Sequence, residues 1–181
     1  MKSATSENLG LIQIGEKSDC DLNGLIDPIS AGYPWIKASI VAPLADPGEA
    51  FDSRRNQYHS TRILALLERQ ILKLRIDRLL GVAYSDLYVP GMNFVFGEAR
   101  RPGRVGVIST YRLKSQSGDE PDLLHNRAAK EAIHEIGHMA GLKHCSKTSC
   151  VMHFSLGLSD TDLKSPDLCE NCQSHLRVTI D

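Results

Sequence analysis

Apolar positions along the chain follow two periods, one of about two residues and one of about 3.6. Residues 9–14 form a short apolar run ending at Gly15, and residues 35–42 place Ile36, Ala38, Ile40 and Ala42 at alternate positions, so both segments read as strands. Between them Leu22, Leu25, Ile26 and Ile29 have helical spacing that Gly24 and Pro28 interrupt, which predicts a short or kinked helix. Residues 43–59 carry Pro, Gly, Asp and an Arg pair without a clean period and read as a loop. Ser60 is placed to cap the helix that follows. There Ile63, Leu64, Leu67, Ile71 and Leu74 make one wide apolar stripe across residues 61–74. Residues 79–89, 93–99 and 105–113 are rich in β-formers and are separated by Pro-Gly and Arg-Pro-Gly turn signals, which predicts three closely spaced strands. The second of them, NFVFGEA, suits a sheet edge.

From Pro121 the pattern returns to helical and runs to about Leu142, with Asp119 available as a cap and Pro121 tolerable in the first turn. This order of elements predicts an α/β fold, a mixed sheet of about five strands with helices packed on it and one long helix near the end.

That long helix carries the chemistry. At about 100° per residue, Ala128, Ala129, Ala132, Ile136, Met139 and Ala140 share one face, while His134 and His138 lie on the opposite, polar side beside Glu135. Two imidazoles one turn apart can both reach one tetrahedral Zn²⁺, because the helix sets their separation before the metal arrives. Glu135 sits about a quarter-turn away, in position to take a proton from metal-bound water as a general base. A third ligand must come from another direction. Gly141 can take positive φ, turn the chain out of the helix and bring His144 back to the ion, so that the segment reads HEIGHMAGLKH.

Composition narrows the setting. The chain has 181 residues, 41% hydrophobic and 24% charged, which is the balance of a soluble domain with its own core. Twenty-one Lys and Arg against 22 Asp and Glu give a formal charge of −1, so no positive field gathers nucleic acid or anionic lipid. A monomer is expected. The N-terminus lacks a signal-peptide pattern and no apolar run approaches a membrane span, which predicts a cytoplasmic protein; no pro-segment is expected ahead of the first strand.

Five cysteines in such a setting suggest metal ligands before disulfides. Cys145 and Cys150 form a C-x4-C pair and Cys169 and Cys172 a C-x2-C pair, which suits a closed, structural Zn²⁺ site; a disulfide pairing or an iron–sulfur cluster stays open at this point. Cys20 is left over as a small buried thiol.

The string HEIGHMAGLKH resembles the metzincin clan of zinc peptidases, in which a methionine in a tight turn follows the third histidine. With cysteine directly after that histidine and CENC further on, the segment from His134 to Cys172 is identified as similar to the archaemetzincin family. The resemblance implies a metzincin-like zincin fold and two Zn²⁺. One is catalytic on His134, His138 and His144 with Glu135 as general base, and one is structural on Cys145, Cys150, Cys169 and Cys172. It also implies Met152 in the Met-turn. It describes one catalytic domain over residues 1–181, with an upper α/β part (1–141) ending in the active-site helix and a lower part (142–181) holding the Met-turn and four-cysteine site.

The activity implied is peptide-bond hydrolysis on a peptide or protein partner. Residues 93–99 would pair with the substrate, and His153, Phe154 and Ser155 would wall the pocket beyond the scissile bond. His153 is otherwise expected to be solvated, Tyr58 and His59 to serve the loop, and His125 and His175 to lie at the surface. The alternative is a catalytically silent binding protein of the same shape, with only the four-cysteine zinc permanently held.

Overall fold

A computed structural model describes residues 6–15, 20–44, 46–115 and 121–180. In chain order the first elements are β1 (Glu7–Ile14), a 3₁₀ turn continuing into α1 (Ile26–Gly32), and β2 (Ile36–Ile40). Then come β3 (Phe51–Asp52), β4 (Gln57–His59), α2 (Ser60–Ile71), β5 (Arg78–Ala83) and β6 (Leu87–Tyr88). The last are β7 (Gly97–Ala99), β8 (Val105–Ser109), α3 (Pro121–Met139), α4 (Leu158–Leu163) and α5 (Glu170–Ile180). The main sheet has five strands in the order β2-β1-β5-β8-β7, parallel except for β7, which runs antiparallel to β8 at the edge.

Alternation along the strands sorts the core into two layers. Leu9 and Leu11 of β1, Leu80 and Val82 of β5 and Ile108 of β8 face α1 and α3. Ile12, Ile14, Leu79, Val105 and Val107 face the apolar stripe of α2, formed by Ile63, Leu64, Leu67 and Ile71. The sheet is therefore covered on both sides, as parallel sheets require.

Several expectations shift. Residues 79–89 are two strands in different sheets, because the chain leaves β5 at Ala83 and β6 joins β3 and β4 in a separate three-stranded sheet. The segment expected as loop up to residue 59 thus holds a hairpin, with Tyr58 packed on Phe51 and His59 on Tyr88 at ring distances of 5.1 Å each. Residues 105–113 end as a strand at Ser109 and close in a 3₁₀ turn (Tyr111–Leu113). Of residues 93–99 only Gly97–Ala99 pair in the main sheet, while Val95 bridges to Leu87. Ser60 is the first helical residue of α2 and not its cap, because its hydroxyl is drawn to Tyr88 O and Glu98. Asp119 lies outside the described residues. Among the described residues no helix is long and apolar enough to cross a membrane.

Candidate metal centres and cleft

Helix α3 ends two residues before Gly141, whose φ of +98° is the left-handed turn expected of it. The turn returns His144 to the helix, and the three imidazoles meet with ring centroids 4.6, 4.7 and 5.3 Å apart. His134 Nδ1 donates to Val151 O and His138 Nδ1 donates to Leu142 O, each at 2.8 Å. With those protons fixed, both Nε2 atoms carry lone pairs, and they face each other at 3.1 Å. Two lone pairs aimed at one point repel unless a cation sits between them, and a tetrahedral zinc at about 2.0 Å from each nitrogen needs about 3.3 Å. Burial pushes His134 and His144 below the ordinary imidazole value and His138 down to about 4, so all three are neutral ligands near pH 7. The donor set fits a zinc ion.

Glu135 is 3% exposed, and its Oε2 is buried with no hydrogen-bond partner. Burial raises its carboxyl well above the usual range, and the nearby charges of Glu131 and Glu98 add to this. The structure places the carboxyl group directly below β7, in a cleft of about 720 Å³ that the three histidines also line.

The polar face of α3 is not a solvent face. Every residue from Arg127 to Met139 is buried, because the chain after His144 folds back over that side. Lys164 pairs with Glu131 at 2.9 Å, Arg127 with Asp162 at 2.7 Å, and Lys130 Nζ donates to Thr161 O and Asp162 O. These charged residues thus join the helix to the C-terminal segment.

Met152 is fully buried and its sulfur lies against Gly137, where any Cβ would collide with it. This gives the glycine inside HEIGH a reason: only a bare backbone lets the methionine floor come under the histidines. Cys145, Cys150, Cys169 and Cys172 bring their sulfurs together within 4.8 Å, with two Sγ···Sγ distances of 3.8 Å. That is far beyond a disulfide and equal to the edge of a tetrahedron of thiolates about 2.3 Å from one zinc. It also leaves room for one ion and not for a multi-iron cluster. Lys147 N and Cys169 N donate to the sulfurs of Cys145 and Cys150, and the amide of Cys172 with the neighbouring thiols brings Cys169 down to about 7. The adjacent pair His144 and Cys145 therefore serves two clusters. Cys20 stands apart and is buried.

Other expected residues distribute unevenly. Phe154 and Ser155 line the cleft, whereas His153 is half-buried and donates from Nδ1 to Cys145 O at 2.9 Å, so it is not a pocket wall. His125 accepts from Asp21 N at 3.0 Å and braces the turn before α1, while His175 is exposed as expected. Tyr58 and His59 lie in β4, outside the cleft lining. The sequence reading missed Glu131, Lys164 and Gly97, since their roles depend on segments distant along the chain.

A metal-binding helix under the free edge of a sheet, with a carboxylate poised between them, is the layout of a metallopeptidase: the edge offers main-chain pairing to an extended peptide, and the helix offers the hydrolytic groups. The profile of peptidase family M54 matches residues 21–178. The archaemetzincin of Pyrococcus furiosus is 40% identical over 180 residues, spanning 94% of this chain and 92% of its own. The crystal structure of archaemetzincin from Methanopyrus kandleri superposes with a TM-score of 0.86 at 34% identity, covering 99% of this chain and 98% of that one. The archaemetzincin of Archaeoglobus fulgidus, crystallised with malonate, gives 0.80 at 34% identity over 92% of this chain and 98% of its own. The protein is a zinc metallopeptidase. It belongs to peptidase family M54, the archaemetzincins.

Proposed function

We propose that the protein hydrolyses peptide bonds in the cleft between β7 and α3, with Glu135 as general base. His134, His138 and His144 hold the zinc of that site, and Cys145, Cys150, Cys169 and Cys172 hold a second, structural zinc. The observation that carries the reading is the pair of converging Nε2 lone pairs beside a buried carboxylate oxygen that lacks a partner. When bound at the histidines, zinc supplies a Lewis acid for water and the scissile carbonyl, and a positive charge that opposes the burial of Glu135.

The chain's own groups supply the remainder. The free edge of β7 binds an extended peptide through its main chain, and Phe154 and Ser155 wall the pocket beyond the scissile bond. Glu135 takes the proton of the attacking water on Oε2 and delivers it to the leaving amine. Residues 1–141 form the upper part of the domain and 142–181 the lower, with the cleft between them. A cytoplasmic setting suits four thiols that must stay reduced to bind zinc.

The test counts zinc per chain in the wild type, His138→Ala and Glu135→Gln, and runs each against a mixed peptide library. Two zinc ions in the wild type, one in His138→Ala and cleavage lost in both variants support the reading. Two zinc ions and no cleavage by the wild type would sink it in favour of a silent binding protein of the same shape.

A further inference from the structure

Side chains on the cleft's upper rim separate by face. Glu98 and Arg100 turn toward α2: Glu98 accepts from the hydroxyls of Ser60 and Thr61, and Arg100 pairs with Glu68 at 2.8 Å. Gly97 and Ala99 turn toward α3. A Cβ built on Gly97 falls 2.5 Å from Glu135 Oε1, and one on Gly106 meets Ala99 Cβ at 3.4 Å and Glu135 Cβ at 3.6 Å. Arg101 is next on that side by the period of a strand, and it lines the cleft. The same cleft is lined by His138, His144 and Glu135.

The other charges of the cleft are engaged. Glu131 is neutralised by Lys164, Glu98 is held by two hydroxyls on the far side of the strand, and Glu135 serves the chemistry. Arg101 is exposed, and among the described residues no carboxylate pairs with it. An Arg with its fork free beside a peptide-binding edge matches a carboxylate.

We propose that Arg101 selects peptides with an acidic side chain about two to four residues before the bond to be cut. The placement follows from the strand. Gly97 lies over Glu135, Arg101 is four residues further at about 3.3 Å each, and an antiparallel peptide, the more stable pairing, passes Arg101 with the residues preceding its scissile bond. This rests on the peptidase reading given above.

The zinc-loaded full chain is tested with peptides that differ only by Glu or Gln at each of four positions before the cleavage point and two after it. The Glu-to-Gln ratio of kcat/KM is expected near five-fold at one preceding position in low salt, carried mainly by KM and shrinking as salt rises. Arg101→Gln brings that ratio to about one, Arg101→Lys restores part of it, and Arg101→Glu turns the preference toward Lys at the same position. A ratio of one in the wild type, or a ratio unmoved by Arg101→Gln, overturns the proposal while leaving the peptidase reading intact. A preference that needs a free C-terminal carboxylate and vanishes on amidation overturns it in favour of chain-end recognition. If no peptide is cleaved, the peptidase reading fails instead; binding of the same peptides to the zinc-loaded chain then decides, and equal affinity for Glu and Gln peptides overturns the acidic preference.

Discussion

Gly97 holds the strictest steric condition in the cleft, and Gly97→Ala puts the role of Glu135 to a quantitative test. An added Cβ would lie 2.5 Å from Glu135 Oε1, 2.9 Å from its Cδ and 2.8 Å from Val107 O. Ordinary contact begins near 3.4 Å, so the carboxyl group must retreat by about 0.9 Å. A displacement of about 1 Å in a reacting group costs about a hundred-fold in rate, or about 2.7 kcal/mol in the barrier. The Val107 carbonyl cannot retreat freely because β7 and β8 are paired there, and overpacking of that kind lowers stability by about 1–3 kcal/mol. The expected variant is folded, loaded with its full zinc complement, somewhat less stable, and about a hundred-fold slower in kcat with KM little changed. Single-turnover cleavage of a library-selected peptide, a zinc count and a urea titration read these separately. A folded, zinc-loaded Gly97→Ala protein whose kcat stays within three-fold of wild type would refute the placement of Glu135 as the base.

Three further outcomes follow from neighbouring contacts. Cys145 N donates to Met152 O and Cys145 O accepts from His153, so Cys145→Ala should loosen the segment that delivers His144 and weaken zinc at the histidines by about ten- to a hundred-fold; unchanged affinity in a chelator competition would end that coupling. Lys164→Met leaves the buried charge of Glu131 with the Thr161 hydroxyl and no cation beside it, and should cost about 3–5 kcal/mol in urea unfolding, most of it recovered in the double variant with Glu131→Gln. Burial raises the Cys20 thiol from near 9 to about 11, so the native state holds its proton where the unfolded chain loses it. That contribution is complete below pH 9 and is lost as pH rises to about 11, amounting to about 3 kcal/mol; Cys20→Ala should flatten the decline of stability across that window.

Both candidate ligand sets were legible from spacing, because the relations within each helical turn and each cysteine pair are local. His134 and His138 are one helical turn apart whatever surrounds them, Gly141 marks a turn that can return His144, and each cysteine pair is close in sequence, although the fold had to set Cys145 against Cys169 and Cys150 against Cys172. The apolar stripe of α2, the apolar run of β1 and the alternation in β2 were legible for the same reason. What misled was context. The stretch 79–89 has one continuous β pattern, yet its two ends serve different sheets, since their pairing partners β1, β4 and β8 lie in distant segments of the chain. His153 reads as a pocket residue beside Phe154, but the turn that seats Met152 rotates its ring onto Cys145 O.

The sequence by itself therefore determined the reactive inventory: which residues can bind zinc, which carboxylate stands beside them, and the helix that holds them at a fixed pitch. Only the tertiary structure decided their environment. The polar face of α3 became an interior when residues 153–164 folded over it, and Glu135 acquired its lid when β7 came to lie across it with a glycine at the point of contact. The physical reason is range: covalent geometry fixes relations across one helical turn, whereas burial and close approach are sums of weak contacts between distant segments that no single stretch of chain encodes.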